Sequence, residues 1–246
     1  MDIAKIFKDS VNVLVLEGMQ DASNEDVSST PKHIDEIYKR VLDLYSKPTG
    51  SLLDQKRHYH NINHIENCFF YLDEFYKRMN NFSLADKSEL YISLMYHDCI
   101  YVAGSNDNER LSAWVALTSL SILPIKGRRL GNIYDQIRST THSLEKSLSF
   151  ECDIICDIDL SSLGLPYDFF VKNSENIRKE FMHVDELSFI NGRLNFINQI
   201  LQRKSIYKIE YFKDRFEQMA RSNLERHLAD LENKKMSMLG ETKSLK

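Results

Sequence analysis

His64, His97, Asp98 and Asp159 are the residues of this 246-residue chain whose types and order can do chemistry. Imidazole nitrogens and carboxylate oxygens together suit first-row divalent ions, and four protein donors leave positions open for water and substrate. His97 and Asp98 are adjacent, so at a helix end they can offer a nitrogen and an oxygen to one cation. A His-Asp pair is common by chance; the ordered set, histidine, then His-Asp, then aspartate, is what distinguishes this one. Upstream, Arg57, His58, His60 and Asn61 crowd one short stretch, RHYHNINHI. Arg57 can make a bidentate contact to phosphoryl oxygens, and His58 or His60 can donate to a leaving oxygen or bind a second metal. The plain alternative is a solvated loop with hydrogen-bonded histidines.

Helices must position these groups. Only 8 Gly and 4 Pro punctuate a chain that is 42% hydrophobic, which disfavours turn-rich, many-stranded architectures. Ile34, Ile37, Val41, Leu42, Leu44 and Tyr45 keep helical spacing until Pro48 and Gly50. Ile65, Cys68, Phe69, Leu72, Phe75, Tyr76 and Met79 form one apolar face, with His64 in the first turn. Leu84 to Tyr101 predicts a helix whose inward C-terminal end carries His97 and Asp98. Further helical runs cover 109–122, 130–142, 151–163, 167–182, 185–203 and 208–232. At about 100° per residue, Asp159 shares a face with Cys152, Ile155, Cys156 and Leu163 while Asp157 points nearly opposite. Phe150 and Ile154 flank Asp157, so phase favours Asp159 but leaves Asp157 open. Asn106, Asn108 and Glu109 can serve the site, or equally as cap and first-turn acid of the next helix.

The expected plan is one all-α domain over 33–232, preceded by an N-terminal extension with a polar linker (1–32) and followed by a disordered polar tail (233–246). Acidic residues number 36 against 32 basic ones, so no general attraction to nucleic acid or anionic membrane is expected. The N-terminal apolar run is too short for a signal-peptide core, and about 18 consecutive apolar residues occur nowhere. A cytoplasmic protein is the expectation. Cys68, Cys99, Cys152 and Cys156 form no C-x-x-C pair and read as buried reduced thiols.

Eight blocks extend the pattern in order: RHYHNINHI (57–65), YHDCIY (96–101), NDNERLSAW (106–114), IRSTTH (137–142), CDIDLSSLG (156–164), IRKEF (177–181), NGR (191–193) and ARSNL (220–224). Together they resemble a bacterial family described as predicted metal-dependent phosphohydrolases of the HD superfamily, over roughly 35–231. The resemblance implies an HD-domain helical bundle and a mononuclear or dinuclear metal site that hydrolyses phosphate esters or anhydrides. His64, His97, Asp98 and Asp159 would be the ligands, for Mn, Fe, Zn, Ni or Mg. It also places His142 near the site, to orient substrate or fill a second metal position; a helix-end histidine set against the dipole is the alternative. Arg178, Glu180, Arg193, Arg221 and Asn223 match family positions but read equally as solvated faces or salt bridges. The expected partner is a small phosphorylated molecule. Two other readings stay open: a non-catalytic HD-fold module that senses a nucleotide or metal, and a di-iron oxygenase, which needs more histidine and carboxylate ligands.

Overall fold

Apolar residues recurring at the interval of a helix face dictate nearly every element. The computed structural model describes residues 1–20, 30–46, 56–79, 81–142 and 148–244, and all regular structure among them is helical. The linker expected over 20–32 falls mostly outside the described residues, as do Pro48 and Gly50. The chain divides into two compact units, Met1–Asp159 and Leu160–Lys246. Among the described residues no helix is long and apolar enough to cross a membrane. All four cysteines are buried and unbridged.

The first unit contains α1 (Ile3–Met19), α2 (Thr30–Ser46), α3 (Ile62–Tyr76), α4 (Leu84–Tyr96), α5 (Asn108–Leu120), α6 (Gly127–Ser139) and α7 (Phe150–Asp159). Its centre is α4, which packs against α1, α3, α5, α6 and α7. A helix enclosed on all sides has no polar face, and Ser88, Glu89, Leu90, Ile92, Ser93, Leu94, Met95 and Tyr96 are all buried. Ile3, Phe7, Val11, Leu14 and Val15 put α1 against this hub. The N-terminal segment expected to extend beyond the domain is thus part of the first unit. Gly18 makes that fit possible, because a Cβ there would collide with the Pro124 carbonyl.

Polar groups fasten the hub from within. Arg129 on α6 donates from Nε and Nη2 to Glu17 of α1 at 2.8 and 3.0 Å, and from Nη1 to Asp86 and Glu89 of α4 at 2.7 and 2.6 Å. Glu89 also accepts from Asn132 and Gln136, and Gln136 in turn accepts from Ser93. At 1% and 4% exposure, Glu89 and Arg129 form a desolvated pair whose remaining capacity is met by neighbours.

In the second unit a 3₁₀ turn (Leu160–Gly164) precedes α8 (Tyr167–Glu180), α9 (Glu186–Leu201) and α10 (Glu210–Ser244). The sequence pattern ran α7 and this turn together as one helix. Asn223 holds the turn through the Leu163 and Leu165 carbonyls, and Gly164 lies against Phe216 where a Cβ would clash. Arg178 donates to Glu186 and to the Phe181 and Val184 carbonyls, and Arg221 to the Leu201 and Arg203 carbonyls. The structure therefore gives Arg178, Arg221 and Asn223 helix-end work. The tail expected to be disordered is helical through Ser244: Lys234, Lys235, Met236, Met238, Leu239 and Glu241 favour helix and no proline interrupts it, although Gly240 disfavours it and Met236 and Leu239 are exposed.

Two stability tests follow from the first unit. Gly18→Ala overpacks the α1 contact and should cost about 1–3 kcal/mol in urea unfolding; an unchanged midpoint would show that α1 is loosely held. Arg129→Met strands Glu89 and should cost about 3–5 kcal/mol near neutral pH. Burial already holds the Glu89 carboxyl above its usual range despite Arg129, whereas Arg129 holds Glu17 below. As pH falls, the variant gains by protonating Glu89 and the wild type loses the Glu17 contribution, so the deficit should shrink in acid. A deficit that grows in acid would contradict this assignment.

Candidate metal centre

Each donor sits at a helix end fixed by local chemistry. Asn61 caps α3, its Oδ1 accepting from the Asn63 amide at 2.9 Å and its Nδ2 donating to the His58 carbonyl at 3.0 Å. That cap places His64 in the first turn, facing inward. His97 is the C-cap of α4, so Asp98 follows directly where the helix stops. Asp159 is the last residue of α7.

These ends converge. His64 Nε2 lies 3.1 Å from Asp159 Oδ1, 3.3 Å from His97 Nε2 and 3.6 Å from Asp98 Oδ2. His97 Nε2 lies 3.2 Å from Asp98 Oδ2 and 3.5 Å from Asp159 Oδ1. Ligands at about 2.0–2.2 Å from one cation stand about 3.0–3.5 Å apart when adjacent, so these separations fit a shared ion. His64, His97 and Asp159 are the mutually close trio that can hold one. Asp98 borders both imidazoles, and its Oδ2 is buried with no well-aligned hydrogen bond, its nearest polar neighbour being His97 Nε2 at 3.2 Å. A buried carboxylate oxygen that is only partly satisfied is costly, and a cation would satisfy it. Of the two aspartates of α7, Asp159 reaches the imidazoles, while Asp157 is buried outside this trio.

Second contacts aim the donors. His97 Nδ1 donates to the Leu94 carbonyl at 2.8 Å, which leaves the Nε2 lone pair for a metal. His142 Nε2 meets Asp159 Oδ2 at 2.8 Å, turning Oδ1 toward the trio. Its backbone is left-handed, with φ of 53°, an uncommon conformation for a side-chain-bearing residue and one often found at functional sites. Cys68, one turn after His64, backs the site with Sγ 3.6 Å from His64 Nε2. Burial pushes its thiol well above the usual range, so it is neutral.

The electrostatics are those of an anionic pocket compensated by protons. Burial opposes ionisation of Asp98 and Asp159, but His97 beside Asp98, and His142, His64 and His97 beside Asp159, hold both carboxyls well below their usual range. Burial likewise opposes the charged imidazoles, yet Asp98 and Asp159 hold His97 well above its usual value, and Asp159 and Cys156 hold His142 at about 10.

The remaining expected residues fall into two groups. His60 lies at the rim, stacked on Tyr101 at 3.9 Å with its ring 6.3 Å from that of His64. His58 contributes its carbonyl to the Asn61 turn. Arg57, expected to bind phosphoryl oxygens, instead donates to the backbone carbonyls of Asp98 at 2.7 Å and Cys99 at 2.9 Å. Asn108 pins the preceding loop by bonding the Val102 amide and carbonyl. Glu109 belongs to the surroundings of the centre: burial, together with the charges of Asp98 and Asp159, raises its carboxyl. It lines a cavity of about 590 Å³ with Asn106, Tyr134, Arg138 and Thr141. Arg138 was not singled out by sequence; its signal was its place in the IRSTTH block beside His142.

Because His97 holds a proton that a metal must displace, binding should be proton-coupled. Apparent affinity for Zn²⁺ or Co²⁺ should strengthen from about pH 6 to about pH 8, by up to about tenfold per pH unit for each proton released. Calorimetry in buffers of different ionisation enthalpy reads that release directly, and binding without it would count against the imidazole donors.

Comparison with known protein families, with curated proteins and with solved structures returns no match for this chain.

Proposed function

We propose that the first unit is a metal-dependent phosphohydrolase of the HD type, acting on a phosphate ester or anhydride of a small molecule. The observation that carries this reading is the convergence of two imidazoles and two carboxylates, with Glu109, which feels the charge of both carboxylates, also lining a cavity that contains an arginine. His64, His97 and Asp159 would hold the ion, with Asp98 as the fourth donor. When bound, a divalent ion supplies Lewis acidity toward a phosphoryl oxygen and lowers the pKa of water.

The chain's own groups do the rest. His142 orients Asp159 and the Leu94 carbonyl orients His97, so the donors need no rearrangement. Glu109, with its raised carboxyl in the cavity wall, is suited to accept a proton from the attacking water. Arg138 offers a planar fork to phosphoryl oxygens, the role that sequence alone gave to Arg57. Tyr134 and Asn106 supply hydrogen bonds to the remainder of the substrate.

Purified protein with Mn²⁺ should release phosphate from at least one member of a panel of nucleotides, cyclic dinucleotides and phosphomonoesters. Asp98→Asn should lower kcat by about a hundredfold or more with the helical circular dichroism retained, whereas Arg138→Ala should mainly raise KM. Metal-independent release, or full activity in Asp98→Asn, would end this reading.

A further inference from the structure

We infer that Arg57 is a positioning residue that clamps the end of α4 and thereby sets Asp98 against the imidazoles, a role that rests on the metal centre proposed above. The last carbonyls of a helix have no partner within it, and α4 ends where its chemistry begins. Arg57 instead binds the two carbonyls just past that end, fixing the turn that follows the cap. Nη1 donates to the Asp98 carbonyl at 2.7 Å and Nη2 to the Cys99 carbonyl at 2.9 Å, so one planar fork spans two successive residues. A longer contact, 3.5 Å, joins Nη1 to the His60 carbonyl.

The fork is itself held. Its carbon lies 5.3 Å from the Tyr45 ring centre and 6.0 Å from that of Tyr101. Tyr45 donates its hydroxyl to the Met95 carbonyl at 3.0 Å, and His60 stacks on Tyr101. Met95, Asp98 and Cys99, three carbonyls in the final stretch of the His-Asp segment, are thus bound by one tyrosine and one arginine. The Asp98 side chain meets His97 Nε2 at 3.2 Å, but Oδ2 makes no well-aligned hydrogen bond. Its aim therefore leans on its backbone, which Arg57 holds by two carbonyls together with the Cys99 amide bond to the Tyr96 carbonyl. A positive charge near the helix C-terminus is also favourable in its own right. Lysine would keep the charge but cannot bond two carbonyls as a rigid fork.

Co²⁺ titration of the full chain, followed by visible absorption, tests this in wild type, Arg57→Lys, Arg57→Ala and His64→Ala. Loss of the clamp should weaken Co²⁺ binding by about tenfold to a hundredfold in Arg57→Ala and alter the ligand-field bands; Arg57→Lys should recover affinity in part without restoring those bands. Should Arg57→Ala fail to fold, Arg57→Lys carries the test alone. Wild-type affinity and bands in the folded Arg57 variants, with only KM for p-nitrophenyl phosphate raised, would overturn the inference and return Arg57 to the substrate. Equal Co²⁺ binding by wild type and His64→Ala would instead overturn the metal centre, and this inference with it.

Discussion

Negative charge held away from water is the constraint on which the first unit depends. Asp98 and Asp159 are brought to the same pair of imidazoles, and both stand where helices stop. The C-terminal ends of α4 and α7 therefore add partial negative charge to two carboxylates. Burying such a group uncompensated would cost more than a small domain can spare. Compensation comes from protons on His97 and His142, which the carboxylates themselves retain. A divalent cation at the trio would replace those protons with a fixed charge.

The same constraint bears on α4, which is buried along its last two turns. A helix whose end carries the buried His97 and Asp98 beside other charges is fixed by its neighbours. Arginines restrain it at both ends by different means. Arg129 engages carboxylates near its beginning, and Arg57 engages carbonyls at its finish. The first links side chains across α1, α4 and α6, and the second acts on the main chain alone. Packing supplies the cohesion between them, since Leu90, Ile92, Leu94 and Met95 are fully buried.

Much of this was legible in the sequence, because helical periodicity survives translation into structure wherever one face is buried. The apolar stripe of α3 and the preference for Asp159 over Asp157 follow from spacing, whereas the helix expected to run to Tyr101 stops at Tyr96, with His97 as its cap. What spacing could not show are contacts with no local signature. Arg129 finds Glu17 and Glu89 at separations of 112 and 40 residues. Arg57 binds carbonyls, which every residue possesses, so its type suggested phosphate while its partners were backbone. The boundary after Asp159 was hidden because the apolar pattern runs on into the 3₁₀ turn. At the C-terminus, polarity read as disorder, although lysines, methionines, Leu239 and Glu241 among the same residues are good helix formers.

The position of His97 and Asp98 at the end of the most enclosed helix has a consequence for how the protein would hold a metal. Donors on an exposed loop can open without disturbing the rest of the fold. Here, separating His97 from His64 and Asp159 means moving α4, which touches every other helix of the first unit. Release of an ion would therefore be tied to large, infrequent openings of the unit rather than to local fraying. By mass action, an occupied centre would make those openings rarer still. Amide exchange along α4 would then report occupancy at a distance from the donors, and the metal would act as the kinetic latch of the whole first unit.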